Sequence, residues 1–148
     1  MMDKPVLVSA CLLGCACRYD GASKGDAAVQ ALGEKVRLIP VCPEQLGGLP
    51  TPRPSAERQG ERVMTQQGTD VTEQYRRGAE ETLRLARFFG CECAVLKERS
   101  PSCGCCGVYD GTFSRTLRSG MGVTAQLLRE NGIAVYGESE AEDLGKRK

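Results

Sequence analysis

Short apolar runs alternate with longer amphipathic stretches along the chain. Four of the apolar runs predict buried strands, because each is rich in aliphatic side chains and is bounded by polar, glycine or proline residues. These predicted strands cover residues 5–10, 36–42, 93–98 and 133–137. The first is followed directly by a cysteine and the second ends on one, so thiols are expected where these strands finish.

The amphipathic stretches predict helices, the clearest of which spans residues 70–89. Asp70 at the N-cap and Glu73 three residues later form a capping-box pattern, and Gly90 supplies a stop signal. The stripe of this helix that faces the core is expected to contain Tyr75, Ala79, Thr82, Leu83, Ala86 and Phe89.

The remaining segments give weaker patterns. Residues 123–131 predict a second helix and residues 26–35 a shorter one. Residues 43–54 contain four prolines and two glycines, which predicts an irregular, stiff connection. Residues 60–68 predict a small hairpin, and the charged tail from Glu138 onward is expected to fray.

Strands that alternate with helices predict an α/β fold. We expect a single-domain, Rossmann-like structure in which a mostly parallel sheet carries helices on its faces. The length of 148 residues fits one domain that spans residues 1–148. Ligands bind such sheets at the carboxyl ends of the strands, so a functional site is expected there.

Composition narrows the functional classes. The formal net charge of +1 gives no bulk attraction to a polyanion, so nucleic acid is not an expected partner. No apolar run is long enough for a membrane span, and the first ten residues lack the long apolar core of a secretory signal. We therefore expect a cytoplasmic protein with no membrane partner. The sequence predicts no oligomeric state.

The chain contains nine cysteines and no histidine. The lack of histidine excludes Cys-His zinc fingers and Ser-His-Asp triads. Disulfides are rare in the cytoplasm, and a domain of this length does not need them for stability. The cysteines therefore predict metal binding or reactivity, and acid–base chemistry must come from carboxylates, hydroxyls, lysines or water.

Three cysteines are expected at the same edge of the sheet. Cys11 follows the first strand, Cys42 ends the second, and Cys103 lies in the loop after the third. Three thiolates at one edge predict a metal or cluster site, and such soft ligands favour zinc, copper(I) or iron–sulfur clusters. Three ligands leave one coordination position open, as in catalytic centres. Any one of these cysteines could instead be a small buried hydrophobic residue.

The other six cysteines carry weaker predictions. Cys91 and Cys93 flank the turn between the long helix and the third strand, and they are predicted to be structural thiols. Four more thiols lie near the predicted site and could supply a fourth ligand, accept sulfur or have no role: Cys15, Cys17, Cys105 and Cys106.

Six motifs occur in order between residues 6 and 136: VSACLLG…RYDG…K, VCPEQLGGLPTPRPSAE, GTDVT, LKERSPSCG, YDGTF and GMGVTAQLLRENGIAVY. Together they resemble the thiouracil desulfidase family of the TudS type. The resemblance implies a [4Fe-4S] cluster held by Cys11, Cys42 and Cys103. It implies a non-redox, hydrolase-type cleavage of the C=S bond that converts thiouracil, or its nucleoside or nucleotide, to the uracil compound and sulfide.

The same resemblance implies two catalytic residues, Glu44 and Ser100. In that chemistry Glu44 would take a proton from water, and Ser100 would exchange a proton with the ring or the tetrahedral intermediate. Simpler roles stay open: Glu44 could cap a turn, Ser100 could form one, and Ser102 is a rival hydroxyl. Arg53 and Arg99 are predicted to be surface or loop-fixing charges, although either could offset the charge of a cluster.

Other interpretations concern smaller motifs and the protein as a whole. Asp20 and Asp110, each followed by glycine, are predicted to stabilise turns, and the backbone N–H groups of residues 120–123 could hold an anion. The alternative to an enzyme is a non-catalytic carrier or sensor of metal, cluster or sulfur. A structural zinc fold with four sulfur ligands is the third possibility.

Overall fold

The computed structural model describes residues 4–146 of the chain. In that part the strands and α-helices follow in this order: β1 (Val6–Ser9), α1 (Ala27–Leu32), β2 (Leu38–Val41), α2 (Pro43–Leu46), β3 (Ala56–Gln59), β4 (Arg62–Thr65), α3 (Thr72–Phe89), β5 (Cys93–Leu96), β6 (Gly107–Tyr109), β7 (Leu117–Ser119), α4 (Val123–Glu130), β8 (Ala134–Gly137) and α5 (Ala141–Gly145). Two 3₁₀ turns, Ala10–Leu13 and Glu138–Glu140, follow β1 and β8.

A four-stranded parallel sheet forms the centre of the fold. Its strand order is β2-β1-β5-β8, and every pair of neighbouring strands is parallel. These are the four strands that the apolar runs predict, and the predicted α/β fold class is confirmed. Strand β1 lies between β2 and β5, so the chain crosses from one side of β1 to the other and creates a topological switch point.

The two faces of the sheet are covered by different helices. Alternate residues of each strand point to opposite faces, so Leu7 packs on one side while Val6 and Val8 pack on the other. Helices α3 and α4 cover the first face through Leu83, Ala86, Ala125 and Leu128. Helices α1 and α5 cover the second face through Val29, Leu32 and Ala141.

Two small antiparallel hairpins lie outside the main sheet. Strands β3 and β4 pair around a tight turn at Gly60, whose φ of 64° is left-handed. The sequence predicted this hairpin within residues 60–68, but its first strand lies before that range. Strands β6 and β7 form a second hairpin that the sequence did not predict. These strands are only three or four residues long and mix polar with apolar side chains, so they lack the apolar runs that predicted the central strands.

The long helix begins two residues later than predicted. Val71 is its N-cap residue, and Asp70 instead accepts a hydrogen bond from the Thr72 backbone N–H at 2.9 Å. Val71 is buried against Val63 of β4 and Tyr75 of α3. The chain therefore packs on the β3–β4 hairpin at Val71, and the helix begins only after this residue. The predicted capping box is therefore wrong, while the stop at Gly90, with a φ of 71°, is confirmed.

Two further predictions are corrected. Residues 43–46 are not irregular but form the short helix α2, because Pro43 occupies its first turn, where the missing N–H costs nothing. The charged tail does not fray over residues 138–145: Ala141 is buried in the α1 layer, and Lys35 Nζ donates to the Gly145 carbonyl. Residues 147 and 148 of that predicted tail lie outside the described residues.

None of the helices within residues 4–146 has the length and apolar character of a membrane span.

Candidate functional site

A cavity of about 700 Å³ opens at the carboxyl edge of the central sheet. Part of its wall comes from the segments that follow β1, β2 and β5, the strands at the switch point, and the rest comes from α3 and the two hairpins. Five residues singled out in the sequence line it together: Cys11, Cys42, Cys103, Glu44 and Ser100. The fold thus brings into one cavity residues that are widely separated along the chain.

Each of the three cysteines is positioned by the end of a different strand. Cys11 lies in the 3₁₀ turn after β1 and is buried. Cys42 follows β2, caps α2 and is half-buried, and its thiol donates to the Cys17 carbonyl at a sulfur–oxygen distance of 3.7 Å. Cys103 is buried in the turn after β5.

Burial makes these thiols hard to ionise. It raises the pKa of the Cys11 thiol to about 11 and the pKa of the Cys103 thiol to about 12. Cys17 also lines the cavity, and burial raises its pKa to about 12, with the nearby Cys42 adding to the shift. These thiols therefore carry protons at neutral pH. A bound metal cation would take the place of the protons, so metal binding would release them.

The three thiols line the cavity but do not form a site for a single metal ion. Within residues 4–146, no three Cys, Asp or Glu side chains come close enough to share a single metal ion. One zinc ion binds its thiolates at about 2.3 Å, so it would require sulfur atoms that converge. A multinuclear group, in which each thiolate binds a different metal atom, suits this wider arrangement.

Glu44 is held in the cavity wall by Arg53. Arg53 Nε donates to Glu44 Oε1 at 2.7 Å, and only 5% of the arginine side chain and 12% of the glutamate side chain are exposed. The Arg53 guanidinium also donates to the carbonyls of Pro50 and Cys17. The prediction of Arg53 as a surface charge is therefore wrong, and its predicted loop-fixing role is confirmed. Arg99, by contrast, is exposed at the rim of the cavity.

Two cavity residues were missed as site residues in the sequence. Tyr75 was predicted only as part of the core stripe of α3, but its hydroxyl hydrogen bonds to Glu44. Ser9, in β1, accepts from the Lys97 backbone N–H at 2.9 Å and donates to the Cys103 sulfur. A polar residue that ends an otherwise apolar strand run was the available signal for Ser9, whereas nothing in helical periodicity distinguishes Tyr75 from a core residue.

The two candidate serines have different surroundings. Ser100 lines the cavity, and its Oγ accepts from the backbone N–H groups of Ser102 and Cys103 at 3.1 and 3.0 Å. It therefore forms the turn that carries Cys103, and its hydroxyl hydrogen is left to donate. The Ser102 hydroxyl is buried and lies 2.8 Å from the Thr124 hydroxyl.

The start of α4 does not hold an anion. The first N–H groups of this helix donate to the carbonyls of Pro101 and Ser102, so they are already used. A Cβ atom at Gly122 would lie 2.4 Å from the Ser102 carbonyl oxygen. Glycine at this position allows the helix to approach the Cys103 turn closely, and the predicted anion site is wrong.

The remaining cysteines separate into core and surface groups. Cys91 is buried in the α3–α4 layer and Cys93 packs against the opposite layer, in agreement with a structural role. Cys15 is exposed. Cys105 is buried, and its sulfur lies 3.0 Å from that of the exposed Cys106.

Comparison with known proteins identifies the family to which this sequence is similar. The sequence model of a family described as 2-thiouracil desulfurase matches residues 6–140. The chain is 40% identical over 149 residues to the uncharacterized protein YbbK of Bacillus subtilis (strain 168), covering 94% of this chain and 99% of that protein.

A solved structure is also similar to this one. It is described as the [4Fe-4S]-dependent thiouracil desulfidase TudS, and it superposes with a TM-score of 0.91 at 49% identity. The similarity covers 96% of this chain and 95% of that chain. The family match includes every strand of the central sheet and all three segments that contribute cysteines to the cavity.

Proposed function

Because the chain belongs to the 2-thiouracil desulfurase family, we propose that it removes the sulfur atom from thiouracil or a related thiolated pyrimidine. The observation that carries this proposal is the meeting of Cys11, Cys42 and Cys103 with Glu44 and Ser100 in one cavity. The products are the corresponding uracil compound and sulfide, and water supplies the oxygen.

We assign Cys11, Cys42 and Cys103 as the ligands of a [4Fe-4S] cluster. Three soft sulfur donors in the wall of a cavity of about 700 Å³ fit such a group and leave room for a pyrimidine ring. With three protein ligands, one iron atom of the bound cluster would supply Lewis-acid chemistry toward a thiocarbonyl sulfur.

We assign Glu44 as the general base that takes a proton from the attacking water. Its carboxylate lines the cavity, and its contacts with Arg53 and Tyr75 fix its orientation. A base held in this way loses little entropy when the substrate and water arrive, which supports catalysis by positioning.

We assign Ser100 as the hydroxyl that donates to the substrate. Its oxygen already accepts two backbone N–H groups of the Cys103 turn, which polarises the O–H bond and fixes the atom at the cavity wall. Because these N–H groups belong to the turn that carries Cys103, the same hydrogen bonds fix the Ser100 hydroxyl relative to Cys103.

We place this activity in the cytoplasm, on a small-molecule substrate. All nine cysteines are free thiols, which suits a reducing compartment. A net charge of +1 does not favour nucleic acid as the substrate.

A carrier or sensor of clusters or sulfur is the second candidate function. It would need the three cysteines, but it would not need a glutamate fixed by a buried arginine. The Glu44–Arg53 pair therefore favours the enzyme, because burying two charges is costly unless their position is used.

The test is anaerobic reconstitution with iron and sulfide, followed by incubation with thiouracil. We expect broad visible absorption and the release of uracil and sulfide, both of which Cys42→Ala should abolish. Glu44→Gln should keep the absorption and lower kcat by about 10²- to 10⁴-fold. Cys15→Ala is the matched control, because Cys15 is exposed and is not part of the cavity wall.

Other outcomes have clear meanings. If wild-type protein loads the cluster and leaves thiouracil unchanged, the desulfidase proposal is wrong. If Glu44→Gln turns over at the wild-type rate, the general-base assignment fails while the desulfidase proposal stands.

A further inference from the structure

One wall of the cavity is formed by a loop that the proposed chemistry does not use, and we call it the roof loop. This loop, residues 110–116, joins β6 to β7, and two of its side chains, Phe113 and Arg115, line the cavity. Phe113 has a φ of 59° and Arg115 a φ of 62°. Side chains with a Cβ rarely adopt this left-handed conformation, and bulky residues least of all. Such strain persists only where the surrounding structure enforces it, often at a site that binds a ligand.

A buried carboxylate enforces the conformation of this loop. Glu57, in β3, is 9% exposed, and its Oε1 accepts the backbone N–H groups of Gly111 at 2.9 Å and Phe113 at 3.0 Å. The neighbouring Gln59 side chain donates to the Gly111 carbonyl at 2.9 Å. Hairpin β3–β4 thereby anchors the roof loop over the cavity.

The loop also supports itself from within. Asp110 Oδ1 accepts from the Thr112 backbone N–H at 3.0 Å, which is the turn predicted for this aspartate. The Ser114 hydroxyl lies 2.6 Å from that of Thr112 and 2.8 Å from that of Thr116. A Cβ at Gly111 would lie 2.7 Å from Gln59 Cγ, so the loop packs directly on β3.

Phe113 offers an aromatic ring with no polar group to the cavity. The three tyrosines in the cavity wall each carry a hydroxyl. Tyr75 hydrogen bonds to Glu44, the Arg18 guanidinium lies 5.8 Å from the centre of the Tyr19 ring, and Tyr109 lies in β6. The other two phenylalanines, Phe88 and Phe89, are exposed on α3 and contact each other edge to face. A flat apolar ring in the cavity wall, on a loop whose backbone is fixed by Glu57, suits a flat heterocycle, because stacking needs a positioned face.

We propose that Phe113 is a specificity-determining residue whose ring stacks on the pyrimidine ring of the substrate. Glu57 is then a positioning residue, since it acts through the backbone of the loop that carries Phe113. This inference rests on the proposed function, because it assigns how that same site selects a planar thiolated base.

The chain has no tryptophan, which makes a direct binding measurement possible. In Phe113→Trp the introduced indole is the only one, and a base that stacks on it should quench its emission. The probe is uracil, the expected product, added to reconstituted protein under anaerobic conditions. Phe88→Trp is the matched control, because Phe88 is 81% exposed on α3 and lies outside the cavity wall. We expect saturable quenching in Phe113→Trp and none in Phe88→Trp.

Kinetics give a second readout. Phe113→Ala should raise KM for thiouracil by about 5- to 150-fold, the range expected from losing one base–aromatic stack. The change in kcat should be much smaller. Phe113→Leu keeps apolar volume without a ring and should also raise KM, so it replaces the alanine variant if that variant does not fold. Phe113→Tyr keeps the ring and should stay close to wild type.

Glu57 is tested through its acceptor oxygen. Glu57→Gln retains an Oε1 that accepts the two N–H groups, so KM should stay near the wild-type value. Glu57→Leu removes the acceptor and should raise KM as Phe113→Ala does. Combined with Phe113→Trp, Glu57→Leu should also weaken the quenching by uracil.

Different outcomes would contradict the stacking role of Phe113 and the desulfidase activity. Turnover of thiouracil by wild type, with unchanged KM in Phe113→Ala and no quenching in Phe113→Trp, would overturn the stacking role alone. Saturable quenching by uracil in a protein that does not turn over thiouracil would support the stacking role and contradict the desulfidase proposal.

Discussion

Ser100 and Ser102 are two residues apart, yet only Ser100 lines the cavity. The Ser100 oxygen accepts two backbone N–H groups of the Cys103 turn, while the Ser102 hydroxyl is used by Thr124 in the interior. Proline at position 101 separates the two and turns their side chains in different directions. The sequence alone could not choose between these hydroxyls, because their distinction depends on contacts with α4.

We expect Ser100→Ala to lower kcat by about 10- to 10³-fold at an unchanged iron content. Ser100→Thr keeps a hydroxyl and should recover part of the rate. Ser102→Ala is the control: it leaves the buried Thr124 hydroxyl without its partner, so it should cost about 1–3 kcal/mol of unfolding free energy and little rate. Steady-state kinetics and urea unfolding measure the two effects. A large rate loss in Ser102→Ala with wild-type stability would reverse the assignment.

Arg53 shows a further limit of sequence analysis at the residue scale. Cys11, Cys42 and Cys103 could be located because each follows an apolar strand, and strand ends converge in a parallel sheet. Arg53 lies in a proline-rich connection with no periodicity, so the sequence carried no signal that its side chain is 95% buried beside Glu44. Ion pairs within such connections depend on the path of the loop, which only the structure gives.

At the scale of elements, the contact between α2 and α3 positions the Glu44 carboxylate. A Cβ atom at Gly78 of α3 would lie 1.9 Å from the Pro43 carbonyl oxygen, and one at Gly47, after α2, would lie 1.9 Å from the Gln74 carbonyl oxygen. The two backbones therefore touch, and both glycines are needed for this approach. Because Cys42 is the N-cap residue of α2 and Glu44 lies in its first turn, α3 sets the position of both residues.

We expect Gly78→Ala to destabilise the protein, although alanine is favoured over glycine by about 1 kcal/mol in a helix. The added methyl overlaps backbone that cannot rotate away, so the net cost should be about 1–3 kcal/mol. The shift of α2 should also lower turnover. Gly107→Ala is the matched control, since its Cβ would lie an ordinary 3.6 Å from the nearest atom, the Arg118 carbonyl oxygen. Equal stability of the two variants would show that α2 and α3 are not locked together.

The elements that the sequence predicted well are those with an apolar pattern. The four central strands and α3 bury whole faces, so their periodicity is visible in the chain. Strands β3 and β7 are largely polar, and their pairing depends on partners rather than on a pattern of their own. For this reason the sequence could not predict the roof loop or its hydrogen bonds to Glu57 and Gln59 of β3.

At the scale of the whole molecule, the cavity depends on how the sheet edge is closed. The ends of β1 and β5 are joined by the bond from the Lys97 N–H to Ser9 Oγ. The end of β5 is in turn joined to the segment after β8: Lys97 Nζ lies 3.0 Å from Glu138 Oε2, and Glu98 Oε2 accepts from the Ser139 backbone N–H at 2.8 Å. This clamp connects the switch point, where Cys11 and Cys103 lie, to the C-terminal helix.

Glu98 makes the clamp sensitive to acid. Partial burial acts to raise the pKa of its carboxyl, but the hydrogen bonds from Ser139 outweigh burial and hold the pKa below its ordinary value of 4.5. The folded protein therefore binds the Glu98 proton less tightly than the unfolded chain does. The stabilisation is complete above about pH 4.5 and is lost as the pH falls through the lowered value.

We expect Glu98→Gln to lose about 0.5–1 kcal/mol of unfolding free energy at pH 7, since the carboxylate is only partly buried and water screens it. The difference from wild type should shrink as the pH falls below about 4.5, because wild type then loses the same interaction. Urea unfolding at pH 7 and at several values below 4.5 measures this difference. Glu142→Gln, on the exposed side of α5, should stay within about 0.5 kcal/mol of wild type at pH 7. A gap between Glu98→Gln and wild type that widens in acid would mean that the Glu98 carboxylate does not stabilise the closed sheet edge.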